Sequence, residues 1–192
     1  MLFSRATTLL LAATTAIAAP LQVRATSQDP VVAVAENDIG AISTAVVALT
    51  AAINGYRSGV LEATPILANT ANVHLVNRKA YVDAVAAVTA NVKANEEQSA
   101  EIVKFTADSV GVTIPQSIKA LKAKREPLAK AGLTDSVVGA LQLLKSDHDS
   151  YSAELIKVVA PGSLAAAKKV VLDIDNAIQS GIDYFSGSAG SK

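Results

Sequence analysis

The chain has 192 residues, 17 of them basic and 17 acidic, so its formal net charge is zero and nothing points to nucleic acid or a strongly anionic membrane as partner. It has no cysteine, which excludes disulfides and thiol chemistry. Hydrophobic residues reach 51% while aromatics supply only 4%, so small alanine and valine side chains dominate the apolar surface and helices bearing them either pack very closely or leave room between them.

Met1-Leu2-Phe3-Ser4-Arg5 is a short positive stretch, Leu9-Leu10-Leu11-Ala12-Ala13 an apolar core too short to span a bilayer, and Ala16-Ile17-Ala18 a small-residue cleavage signature. Residues 1–18 therefore read as a secretory leader, and no later apolar run is expected to cross a membrane. The remaining 174 residues carry 16 basic against 17 acidic side chains and suit one domain. A chain of that size buries roughly 70% of its unfolded surface, enough for a core without cross-links. Residues 19–29 show no period and read as a flexible lead-in. Residues 186–192 form a polar tail with no lipid-anchor signal.

Between them the spacing predicts helices. Ile39, Ile42, Val46, Leu49, Ile53, Tyr56 and Val60 recur at steps of three and four, one stripe of a helix over residues 30–56, with Pro30 in its first turn and Gly55 and Gly59 marking the turn beyond. Leu67, Val73, Val76, Ala80, Val85, Val88 and Val92 suggest a second helix over 61–95, with an irregularity at 69–77 where asparagines cluster. A third starts near Glu96, whose acidic first turns suit the positive end of the helix dipole. Gly111 to Gln116 reads as a break, with Thr113 and Gln116 at capping-box spacing. The helix then resumes until Ala131-Gly132. Thr134 is placed to cap the next, whose stripe is Val137, Leu141, Leu144, His148, Tyr151, Leu155 and Val158. Pro161-Gly162 separates it from a last helix carrying Val171, Ile174, Ile178, Ile182 and Phe185. No strand-like alternation competes. The prediction is an all-α, antiparallel bundle of about five long amphipathic helices over residues 30–185.

Chemistry is sparse. Neither His74 nor His148 has a metal-ligating residue three or four positions away, so no metal site is expected. No nucleophile elbow, phosphate loop, dinucleotide fingerprint or calcium loop occurs, and no enzyme is predicted. Lys119, Lys122, Lys124, Arg125 and Lys130 read as a solvated helix face. There is no Asn-x-Ser/Thr site for N-linked sugar.

The leader, the absence of cysteine, the Ala-rich amphipathic helices and the segment Ala131-Gly132-Leu133-Thr134-Asp135-Ser136-Val137-Val138-Gly139-Ala140-Leu141-Gln142-Leu143-Leu144 together resemble the fungal hydrophobic-surface-binding protein A family, which is related to cell-wall galactomannoproteins. The resemblance runs from about Val34 to Phe185. It implies a secreted, non-enzymatic helical bundle, possessing no cofactor, that adsorbs to hydrophobic surfaces or holds fatty acids between its helices. On that reading the apolar walls are Ile42, Leu49, Ile53, Val88, Phe105, Leu121, Leu141, Leu144 and Ile178, and Tyr56, His148 and Tyr151 are the polar stripe residues suited to a headgroup. Burying a long acyl chain is worth about 0.8 kcal/mol per methylene, against roughly 1.5–3 kcal/mol for one charge-assisted hydrogen bond, so such a protein needs no polar motif. The competing reading is an extracellular cell-wall structural or antigenic protein whose core is closed and holds no ligand. Either way, the sequence predicts a secreted monomer folded without covalent cross-links. Reductant should leave its melting temperature unchanged, and circular dichroism should show helix with no strand component.

Overall fold

The computed structural model describes residues 29–187. The expected leader, most of the lead-in and the tail from residue 188 lie outside the described residues. Seven helices follow one another: α1 (Pro30–Gly55), α2 (Thr64–Thr89), α3 (Glu96–Asp108), α4 (Val110–Ala123), α5 (Arg125–Lys130), α6 (Thr134–Val158) and α7 (Leu164–Ser186), with single 3-10 turns before α2 and α7. Among the described residues there is no strand.

Local chemistry sets the helix ends. The Asp29 carboxylate accepts from the N–H groups of Val31 (2.9 Å) and Val32 (3.4 Å) and so caps α1, whose first residue is Pro30. The second helix stops at Thr89, short of the expected 95, because Asn91 adopts φ 54°. The N–H of Asn91 then reaches the carbonyl of Val88 and that of Val92 the carbonyl of Ala87, the paired bonds of a Schellman stop. Gly132, at φ 70°, ends α5 in the same way. Asn95 and Gln98 form a reciprocal capping box at the start of α3.

Four further expectations change. The asparagine cluster does not disturb α2: Asn69 and Asn77 turn their amides back to the carbonyls of Pro65 (2.8 Å) and Val73 (2.9 Å), inside the helix. The break expected at 111–116 falls instead at Ser109, whose hydroxyl donates to the Phe105 carbonyl (2.6 Å) and competes with the backbone there. Pro115 is accommodated inside α4. A further interruption occurs at Lys124, which places Pro127 in the first turn of α5, where a missing N–H is harmless. Finally, α1 is long and apolar enough to cross a bilayer by composition, contrary to the expectation from the sequence. Over half of that window is buried inside the bundle.

Successive long helices reverse direction, as expected, with α3 and α4 acting as one kinked strut. In space α1 packs on α2, α2 on α6, α6 on α7, α7 on α4, and α4 back on α1. The helices form a closed ring of five. An odd ring cannot alternate throughout, so parallel neighbours also meet. Ser43 bonds Thr113 (3.3 Å) where α1 and α4 run together, and His74 Nδ1 meets Asp147 (2.6 Å) between α2 and α6. Where α4, α6 and α7 converge, Gly181 has no side chain, and a Cβ there would lie 3.2 Å from Leu141 Cδ1 and 3.3 Å from Ile118. Gly181→Ile should overfill this junction and lower unfolding free energy by about 1–3 kcal/mol, measured by chemical denaturation.

Candidate functional site

The inward stripes do not meet on the ring's axis. They leave an elongated apolar cavity of about 100 Å³, measured at the centres of water-sized spheres. Along α1 it runs from Ile39 to Ile53, about 21 Å of helix. The acyl layer of one lipid leaflet is about 15 Å thick, so the cavity is long enough for a fatty chain and narrow in proportion.

Nine of the twelve residues singled out from the sequence line this cavity: Ile42, Leu49, Ile53, Leu121, Leu141, Leu144, His148, Tyr151 and Ile178. The other three do not. Tyr56 is fully buried at the end of α1, where its hydroxyl donates to the Pro127 carbonyl (3.3 Å) and ties α1 to α5. Val88 packs against the core in the last turn of α2, but only Val73 and Asn77 of that helix reach the cavity. Phe105 is half-buried on α3, while Ile102 and Thr106 carry the lining stripe. At about 100° per residue Phe105 falls off that stripe by 60–100°. Sequence reasoning missed Val110, Ile114 and Ser117, whose spacing of four and three was legible but was read as a break because of Gly111 and Pro115.

The polar groups are few. His148 is buried, with Nε2 3.3 Å from the Val171 carbonyl and Nδ1 3.4 Å from the Ser152 hydroxyl. A carbonyl only accepts, so Nε2 carries the proton, and Ser152 donates to Nδ1. Burial lowers the His148 pKa below its ordinary 6.5. The Val171 carbonyl, Asp149 and Asp175 act in the opposite direction, while Lys145 adds to the lowering. Tyr151, one turn on, has a buried hydroxyl with no hydrogen-bond partner. Tyr151, Ile102 and Leu155 also border a second apolar space of about 200 Å³ between the start of α1, the end of α2 and the end of α6. Asp38 and Asp83 lie on that side. Among the described residues no group of three or more His, Cys, Asp or Glu side chains could hold a metal ion.

The model for "hydrophobic surface binding protein A" matches residues 32–157. The chain belongs to the hydrophobic surface binding protein A family. Solved structures share its fold. Afmp4p in complex with palmitic acid is 24% identical, with a TM-score of 0.72 over 80% of this chain and 99% of the other. Ligand binding domain 2 of the Penicillium marneffei MP1 protein, complexed with multiple arachidonic acids, is 22% identical, with a TM-score of 0.73 over 84% and 99%. Domain 1 of the same protein, with arachidonic acids, is 18% identical with a TM-score of 0.73 over 80% and 97%. No curated protein matches the sequence.

The lowered pKa of His148 has a consequence for stability. Because the folded protein binds this proton less readily than the unfolded chain, its contribution is complete above pH 6.5 and is lost as pH falls through the lower, folded value. Thermal melts between pH 7 and pH 5 should therefore show a loss of stability that His148→Gln reduces.

Proposed function

We propose that the protein is a secreted, non-enzymatic carrier or sequestrant of long-chain aliphatic molecules, held lengthwise inside the ring of five helices. The observation that carries this reading is the apolar axial cavity, bounded by residues from every long helix of the ring. The fatty acids in the structures of Afmp4p and of the MP1 domains support it, since those chains share this fold. The sequence features of residues 1–18 support export. The energetic balance also favours it. Each methylene moved from water into the cavity contributes about 0.8 kcal/mol, so even ten outweigh any single polar contact. Fatty-acid titration of delipidated protein should show saturable binding. Leu144→Trp, which places a larger ring in the cavity wall, should weaken binding at least tenfold while the protein still melts cooperatively. Absence of saturable binding to the wild type would refute the reading.

A second role, adsorption to apolar surfaces, is supported by a separate observation. Leu61 (88% exposed), Leu75 (64%) and Val82 (59%) face outward on or just before α2. Their spacing of fourteen and seven residues keeps them near one side of the helix. Contact through this row buries apolar area without opening the bundle, and such attraction is non-directional and insensitive to salt. Replacing all three by glutamine should reduce retention on hydrophobic beads several-fold and leave fatty-acid binding intact. Elution of the wild type by salt alone would instead assign the contact to charge.

A further inference from the structure

The axial cavity and the side space share a wall and lie end to end along α1. Ile102, Tyr151 and Leu155 border both, so a single layer of side chains forms the partition between them. On α1 the side space is lined by residues from Pro30 to Asp38, and the axial cavity takes over at Ile39. Val34, Ala84, Ala87, Val92 and Val158 supply most of the remaining side-space surface. Its only charged lining residues are Asp38 and Asp83, and Lys79 pairs with both. What this space offers a ligand is apolar area.

Chain length connects the two spaces. The axial cavity follows about 21 Å of α1, and the side space adds about 12 Å. A zigzag carbon chain advances about 1.25 Å per bond, given bonds of about 1.5 Å. Extended palmitate is then about 19 Å long and fits the axial cavity, whereas arachidate, at about 24 Å, overruns it. The surplus either stays in water or passes the partition. Passage is favoured, because each methylene taken out of water strengthens binding by up to about fourfold. Ile102 and Tyr151 are 2% and 6% exposed, held in their rotamers by close packing. Leu155 is only half-buried and is the freer of the three to turn aside.

We infer that the side space is a second compartment of the aliphatic site. It takes the end of a chain too long for the axial cavity, and Leu155 is the side chain that yields to let it through. This rests on the proposed carriage of an aliphatic chain and specifies the class carried: chains longer than palmitate are bound along their whole length. The partition is thus a length-determining element rather than the end of the site.

The test titrates delipidated protein with palmitate and with arachidate, each below its aggregation concentration. Arachidate should bind the wild type at least tenfold tighter than palmitate, since its additional methylenes also leave water. Ala87 lines the side space and not the axial cavity. Ala87→Phe should therefore abolish the arachidate advantage and leave palmitate affinity unchanged. Leu155→Ala should speed arachidate association several-fold. A measurement on the wild type needs no variant to fold: bound arachidate should give nuclear Overhauser contacts to the methyls of Val34 and Val92, which line only the side space. Equal affinity for the two acids, an arachidate advantage that survives Ala87→Phe, or no contact to Val34 and Val92 would overturn the inference, while saturable palmitate binding would leave carriage intact. An unchanged association rate in Leu155→Ala would overturn the role given to Leu155. If neither acid binds saturably, carriage itself fails, and this inference with it.

Discussion

Helix-on-helix packing in a closed ring of five is the constraint from which the rest of this structure follows. Neighbouring helix axes pack about 8–10 Å apart, and in a regular ring of five that places each axis about 8 Å from the centre. A helix with its side chains has a radius of about 5–6 Å, so a lane about 2–3 Å in radius is left along the middle. Four helices at the same spacing would bring their axes to about 6–7 Å from the centre and close most of that lane. A saturated chain has a half-width of about 2 Å, judged from carbon–carbon contact distances. The ring therefore creates a space of acyl-chain width with no special residue required. The short side chains of Val46, Val73 and Ala167 in its wall keep the space from being filled.

The ring also explains where polar chemistry appears. With no disulfide available, the helices are joined by sparse links across their contacts: Lys79 with Asp38 between α2 and α1, His74 with Asp147 between α2 and α6, Lys145 with Asp175 between α6 and α7, and Lys122 with Ser180 between α4 and α7. The half-exposed members of such pairs add little to stability, so burial of Ile39, Ile53, Ile102 and Ile174 carries most of it. Among the described residues the buried Asn77 and Ser99 are matched, by the Val73 carbonyl and the Ala160 amide. The Tyr151 hydroxyl is set apart from these by lacking any such bond.

Much of this was legible in the sequence because it depends on periodicity. The stripes of α1 and α6 carry Ile42, Leu49, Ile53, Leu141, Leu144 and His148 in the sequence itself, since a three–four spacing fixes the inward face whatever the partner. Tyr56 sat on the same stripe but beyond the cavity's end, a distinction set by which helix packs against it. Phe105 is expected among the apolar walls, although its angular position on α3 takes it off the lining face. The stretch around Pro115 was misread because a proline signals a break only statistically, and here the surrounding packing keeps α4 continuous while Ser109 takes the kink. Ring order and the Tyr151 partition were beyond reach. They depend on long-range contacts such as Ser43 with Thr113, which no local pattern encodes.

The central claim is that an aliphatic chain lies along the axis of the ring rather than on the outer face of the bundle. Nuclear Overhauser contacts between a bound, isotopically distinguished long-chain ligand and assigned methyl groups decide this directly. The account predicts contacts from the ligand methylenes to the methyls of Ile42, Leu141 and Ile178, drawn from three different helices, and none to Leu61, Leu75 or Val82. Contacts confined to those three outward residues, with the interior methyls silent, would contradict it.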